Sequence, residues 1–133
     1  MPSVDINYAA VLVAAVINMA VGAVWYSPSL FGKAWSKLTG KKDMRGSGRT
    51  GYAVSAVGAL VQSWILVHFV QYAGSTSVWE GAITGFWLWL AFVGVVMAGA
   101  YVLEGRPWKL WQINAGYFLV VLVANCALLA AWR

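Results

Sequence analysis

His68 is the only histidine in the chain. A neutral imidazole can bind haem iron or chlorophyll magnesium, or relay a proton. No carboxylate or thiol stands near it in the sequence, and one His without such neighbours is a poor metal site. A histidine near the end of an apolar helix is also satisfied by a single hydrogen bond or by lipid headgroups. The single cysteine, Cys126, allows neither an internal disulfide nor a Cys-based zinc site.

The other polar side chains inside apolar runs are amides and hydroxyls. Asn18 and Gln62 fall at a similar middle depth, and His68, Thr84 and Asn125 fall nearer the opposite end from the lysines. Amides at such depth serve as interhelical glue, worth roughly 0.6–2 kcal/mol. The alternative is contact with a solute, for which Asn18, Gln62 and Asn125 are the ligand or pathway candidates. Glu104 and Arg106 flank Gly105, either as an acid or base at a cavity mouth or as an ion pair that steadies a turn. No Asp, Glu, Lys or Arg occupies the middle of any apolar run. Proton-coupled pumps usually rely on such a group. Small multidrug exporters of this size use a carboxylate in the first helix, where this chain has Asn18. No nucleophile triad, phosphate loop or nucleotide fingerprint is present, so an enzyme is not expected.

These groups must be carried by long apolar elements. Of 133 residues, 62% are hydrophobic and 10% charged, too few charges to cover a soluble domain. Four runs stand out: residues 6–26, 52–73, 81–103 and 110–132. Each is roughly 20 residues, enough to cross about 30 Å of hydrocarbon at 1.5 Å per residue. The expected fold is an all-α membrane protein, one four-helix transmembrane domain over residues 1–133. The first run lacks a leading Lys or Arg and is long for a signal core, so it is expected to remain as a helix.

Orientation follows from the basic residues. Lys33, Lys37, Lys41, Lys42, Arg45 and Arg49 lie between the first two runs, Arg106 and Lys109 between the last two, and only Arg133 elsewhere. The positive-inside rule puts both loops in the cytoplasm, giving an N-out/C-out arrangement. The net charge of +5 is then a topology signal toward anionic lipid headgroups, and nucleic acid is not an expected partner.

Pro28 ends the first run, because its ring and missing N–H oppose helix continuation. Beyond it, residues 29–39 form a short amphipathic pattern. Leu30, Phe31, Ala34, Trp35 and Leu38 share one face, and Lys33, Lys37 and Lys41 recur four apart on another. A cytoplasmic interfacial helix is expected, apolar side down in the bilayer. Trp25, Tyr26, Trp35, Trp108 and Trp111 suit the headgroup level. Residues 41–51 read as a glycine-rich basic linker. Trp64, Trp87 and Trp89 fall outside such belts and fill the bundle, stack on a lipid or ligand, or face acyl chains.

Small residues recur four apart as Ala10, Ala14, Asn18 and Gly22, as Gly81 and Gly85, and as Gly94 and Ala98. Such faces let helices approach closely, within one chain or between copies.

The stretches INYAAVLVAAVINMAVGAVWYSPSLFGKAW, Ile6 to Trp35, and EGRPWKLWQINAGY, Glu104 to Tyr117, together resemble the bacterial family known as domain of unknown function 1761. The resemblance implies one four-helix domain in a bacterial cytoplasmic (inner) membrane, crossed several times. It supplies no activity or catalytic residue. Both stretches arrive at the same face, where Trp25, Tyr26, Ser27, Lys33, Trp35, Glu104, Arg106, Asn114 and Tyr117 are expected to form one cluster. Three functions stay open: a homo-oligomeric transporter or channel for a small solute or ion, an accessory subunit of a larger membrane complex, and a pigment or haem binder through His68.

Overall fold

The computed structural model describes residues 3–41 and 48–132. The described residues form helices and turns, with no strand among them. Residues 42–47 of the basic linker, with Lys42 and Arg45, and the terminal Arg133 lie outside the described residues.

Helix α1 spans Tyr8–Trp25 and starts where the Asn7 side chain accepts the Ala10 N–H. It ends in a turn at Tyr26–Phe31, in which the N–H of Gly32 donates to the Ser27 carbonyl at 2.9 Å. The chain folds back so tightly there that a Cβ on Gly32 would lie 2.3 Å from the Tyr26 carbonyl oxygen. Helix α2, Gly32–Thr39, follows. It begins three residues later than the amphipathic pattern suggests, because Pro28 to Phe31 form that turn.

Helix α3 spans Gly48–Tyr72 and α4 spans Val78–Trp89. One π-helical turn, Leu90–Gly94, joins α4 to α5, Val95–Leu103, within a single continuous span. Helix α6 is Trp108–Ala131. The start of α3 reaches into the stretch read as linker. Apolarity marks where hydrocarbon ends, whereas the backbone ladder continues past it through Arg49 and Thr50. Four spans are long and apolar enough to cross a membrane: Tyr8–Trp25, Gly48–Tyr72, Val78–Leu103 and Trp108–Ala131. The turns after α3 and α5 share one device. Gly74 and Gly105 take φ of 71° and 67°, and the next residue's N–H reaches back to the Val70 or Tyr101 carbonyl. This left-handed cap favours glycine, which has no Cβ to clash.

Helix α6 sits at the centre, with half of its most apolar window buried; the equivalent window of Val78–Leu103 is only 11% buried. Helix α4 packs on α6 backbone to backbone. A Cβ on Gly81 would lie 2.3 Å from the Cys126 carbonyl oxygen, and one on Gly85 would lie 2.4 Å from that of Leu122. On α1, Ala10, Ala14 and Asn18 are buried, and Gly22 faces the Tyr117 ring. Both faces are therefore engaged inside the chain, and neither remains as an argument for self-association. Away from the lysines the core is aliphatic, with Val70, Leu122, Cys126 and Leu129 at its centre. At the lysine-rich end Trp35, Tyr101, Leu110 and Ile113 form a second cluster.

The α4–α6 contact sets a direct test. In Gly85→Val the added atoms meet backbone that cannot rotate away, so overpacking should cost at least about 1–3 kcal/mol. Thermal unfolding in mild detergent should show a clearly lowered Tm, whereas Gly99→Ala, where a Cβ meets open space inside a helix, should not lower it.

Candidate functional site

Two linked groups of polar side chains occupy the bundle, one at mid-depth and one at the lysine-rich end. At mid-depth, Asn18 of α1 donates from Nδ2 to Gln62 Oε1 of α3 at 2.8 Å. The Tyr117 hydroxyl of α6 donates to Asn18 Oδ1 and lies 3.1 Å from the Asn18 backbone carbonyl. One amide thus ties three helices. Gly22 admits the Tyr117 ring, since a Cβ there would come within 3.3 Å of the hydroxyl.

At the lysine-rich end the Trp25 indole N–H donates to the Ile113 carbonyl at 2.8 Å. Gly116 gives that ring its room, a Cβ there lying 3.1 Å from it. The Tyr26 hydroxyl donates to Asn114 Oδ1 at 2.7 Å, and Asn114 Nδ2 donates to the Tyr101 hydroxyl at 2.9 Å. The Arg106 guanidinium lies 4.0 Å from the centroid of the Tyr101 ring. Arg106 also pairs with Glu104 at 3.6 Å, both side chains partly exposed, a geometry worth little in water. Tyr26 stands just past the end of α1. Burial, and then the neighbouring Tyr117 and Tyr101, hold its phenol pKa above the ordinary value. It therefore stays a neutral donor across the ordinary pH range.

The structure accordingly brings together Trp25, Tyr26, Trp35, Asn114 and Tyr117, with Arg106 and Glu104 reached through Tyr101. Trp35 packs edge-on to Tyr26, their centroids 6.2 Å apart, so α2 lays its tryptophan on the end of the bundle. Ser27 is not part of the cluster, its hydroxyl donating to the Val24 carbonyl at 2.7 Å. Lys33 stands exposed on α2.

Asn125 of α6 is fully buried, and its Nδ2 donates to the Ala14 carbonyl at 3.0 Å. His68 Nδ1 lies 2.7 Å from the Trp64 carbonyl. A carbonyl only accepts, so Nδ1 carries the proton there. The imidazole packs on Trp64 at 4.4 Å and Tyr72 at 6.2 Å, along one face of α3. Among the described residues no group of three His, Cys, Asp or Glu could hold a metal ion.

Several anchoring groups carry no signal in the sequence. The Trp89 indole donates to the Ala115 carbonyl at 2.8 Å, and the Trp111 indole donates to the carbonyl of Gly94, the last residue of the π-turn, at 3.1 Å. Gln71 clasps the backbone of Asp5 through both amide atoms. Tyr101, the hub between Asn114 and Arg106, is missed for the same reason: its partners lie on another helix or beyond a turn.

Residues 9–130 match a family described as "Protein of unknown function (DUF1761)". The chain belongs to this family. The match takes in all of Glu104–Tyr117 and most of Ile6–Trp35, the two stretches that meet at the lysine-rich end of this DUF1761 protein. No curated protein and no solved structure matches the chain.

Asn114 is the joint of this end. Asn114→Ala strips the Tyr26 and Tyr101 hydroxyls of their partner, a loss of about 1–3 kcal/mol for buried groups. A melting experiment should show a lower Tm for Asn114→Ala and no change for Ser27→Ala or Lys33→Ala; equal effects from all three would contradict the placement.

Proposed function

We propose that this protein is a membrane-embedded accessory subunit that packs on a larger membrane complex through its α4–α5 face. The observation that carries the reading is the uneven burial of the spans: Val78–Leu103 is as apolar as α6 but barely covered by the rest of the chain. Its uncovered side holds Phe86, Trp87 and Phe92 well inside the span. Tryptophan belongs at the headgroup level when lipid alone surrounds a helix, whereas phenylalanine is at home among acyl chains. Trp87, exposed at mid-span, is therefore the side chain that asks for a protein neighbour, where its area and shape add to packing.

On this reading the amides at mid-depth are glue and the chain is not an enzyme. The lysine-rich end faces the cytoplasm of a bacterium, with both termini outside. Helix α2 then lies at the inner headgroup level, with Lys33 and Lys37 toward anionic lipid. A second reading, a transporter or channel for a small solute, draws on one specific observation. The Ser63 hydroxyl and Asn125 Oδ1 are buried in the bundle with no partner among the described residues. The pigment or haem reading rests on His68 alone, whose Nδ1–H donates to its own helix and leaves Nε2 as the accepting nitrogen.

A photo-crosslinking residue tests the first reading in native membranes. Placed at Phe92 it should capture one distinct membrane protein, and placed at Leu12, exposed on α1, it should capture none. Crosslinks to lipid alone from both positions, or to a second copy of this chain, would sink the subunit reading.

A further inference from the structure

We propose that the bundle binds water in its interior, in a layer bounded by Ser63 of α3, Asn125 of α6 and Ala14 of α1. Ser63 and Asn125 are both fully shielded from solvent by the chain itself. The Ser63 hydroxyl and Asn125 Oδ1 nevertheless make no hydrogen bond to any of the described residues. A serine inside a helix can donate to the carbonyl four residues back, and Ser63 does not. The direction of the Asn125 amide is forced: the Ala14 carbonyl accepts only, so the NH2 group must face it and Oδ1 must face away.

The two atoms belong to one neighbourhood. Ser63 follows Gln62, which bonds Asn18, and Ala14 lies one helical turn from Asn18 on the same face of α1. Asn125 sits two turns beyond Tyr117, the third member of that node, and a helical side chain leans back toward its own N-terminus. Both atoms therefore fall within about one turn of the node, on the side away from the lysines.

The chemistry of the occupant follows from the atoms that face it. Asn125 Oδ1 requires a donor, and the Ser63 hydroxyl accepts and donates. No charged side chain occupies mid-depth in any span, so the occupant is neutral. Ala14, whose carbonyl Asn125 engages, and Ala59, one turn before Ser63 on its helix face, are both buried and among the smallest side chains available. A neutral donor and acceptor of the smallest size is water, which characteristically bridges otherwise unsatisfied buried groups. The node of Asn18, Gln62 and Tyr117 then separates this wet layer from the lysine-rich end.

The sign of a stability change tests the proposal. If the Ser63 hydroxyl holds water, Ser63→Ala loses that bond and Tm should fall by about 2–6 °C. If the hydroxyl is idle, its removal relieves a buried polar group and Tm should stay or rise, which would overturn the proposal. An independent readout is magnetisation transfer from water to the Asn125 side-chain amide, measured by NMR on the wild-type chain in nanodiscs. Transfer is expected, with no counterpart at the amides of the aliphatic core around Leu129; its absence at Asn125 would equally refute bound water.

Discussion

The arrangement of this bundle depends on one constraint: a polar group at the depth of the hydrocarbon must find its partners inside the bundle. Asn18 brings an amide and a backbone carbonyl to the middle of α1, and both are met from other helices, by Gln62 of α3 and Tyr117 of α6. Apolar side chains slide past one another at little cost in lipid, which is itself apolar. The amide does not, because its donors and acceptors match in one rotation and one depth only. Asn18 thereby sets the azimuth of three helices, and the aliphatic layer around Leu129 packs in whatever register the node allows.

Close approach and indole donors complete the lock. Gly81 and Gly85 let α4 lie on the backbone of α6, and the Trp89 and Trp111 indoles cross between these spans in opposite directions. The π-turn at Leu90–Gly94 starts just after Trp89 and ends at the residue whose carbonyl Trp111 engages. Such a turn shifts the face of everything that follows it. Without it, Tyr101 would not be presented on the same face relative to Asn114. Position at the lysine-rich end is thus set in part by a backbone irregularity about two turns deeper in the span.

Much of the architecture is legible from residues alone, because hydropathy and basic charge act along the chain. The four spans and the stop at Pro28 follow from local chemistry. Asn18 and Gln62 can be matched in depth by counting residues from the helix ends. What counting cannot supply is rotation of one helix about its axis relative to another. Tyr117 keeps its ring against Tyr26 of the end cluster, but counting does not show that its hydroxyl also reaches Asn18 across 99 positions of sequence. The same limit hides Tyr101 and leaves open whether small-residue faces serve this chain or a second copy. Ser27 sits beside Trp25 and Tyr26 in sequence, and its hydroxyl returns to its own helix. Family membership, shown over residues 9–130, accords with the pairing of the two stretches but carries no activity with it.

The central claim is that Asn18 and Tyr117 are coupled in holding α1 to α6. A double-mutant cycle with Asn18→Ala and Tyr117→Phe, followed by reversible unfolding in mild detergent, measures that coupling directly. The account predicts an interaction energy of about 0.6–1.7 kcal/mol, the range for side-chain hydrogen bonds between membrane helices. Strict additivity of the two substitutions would contradict it.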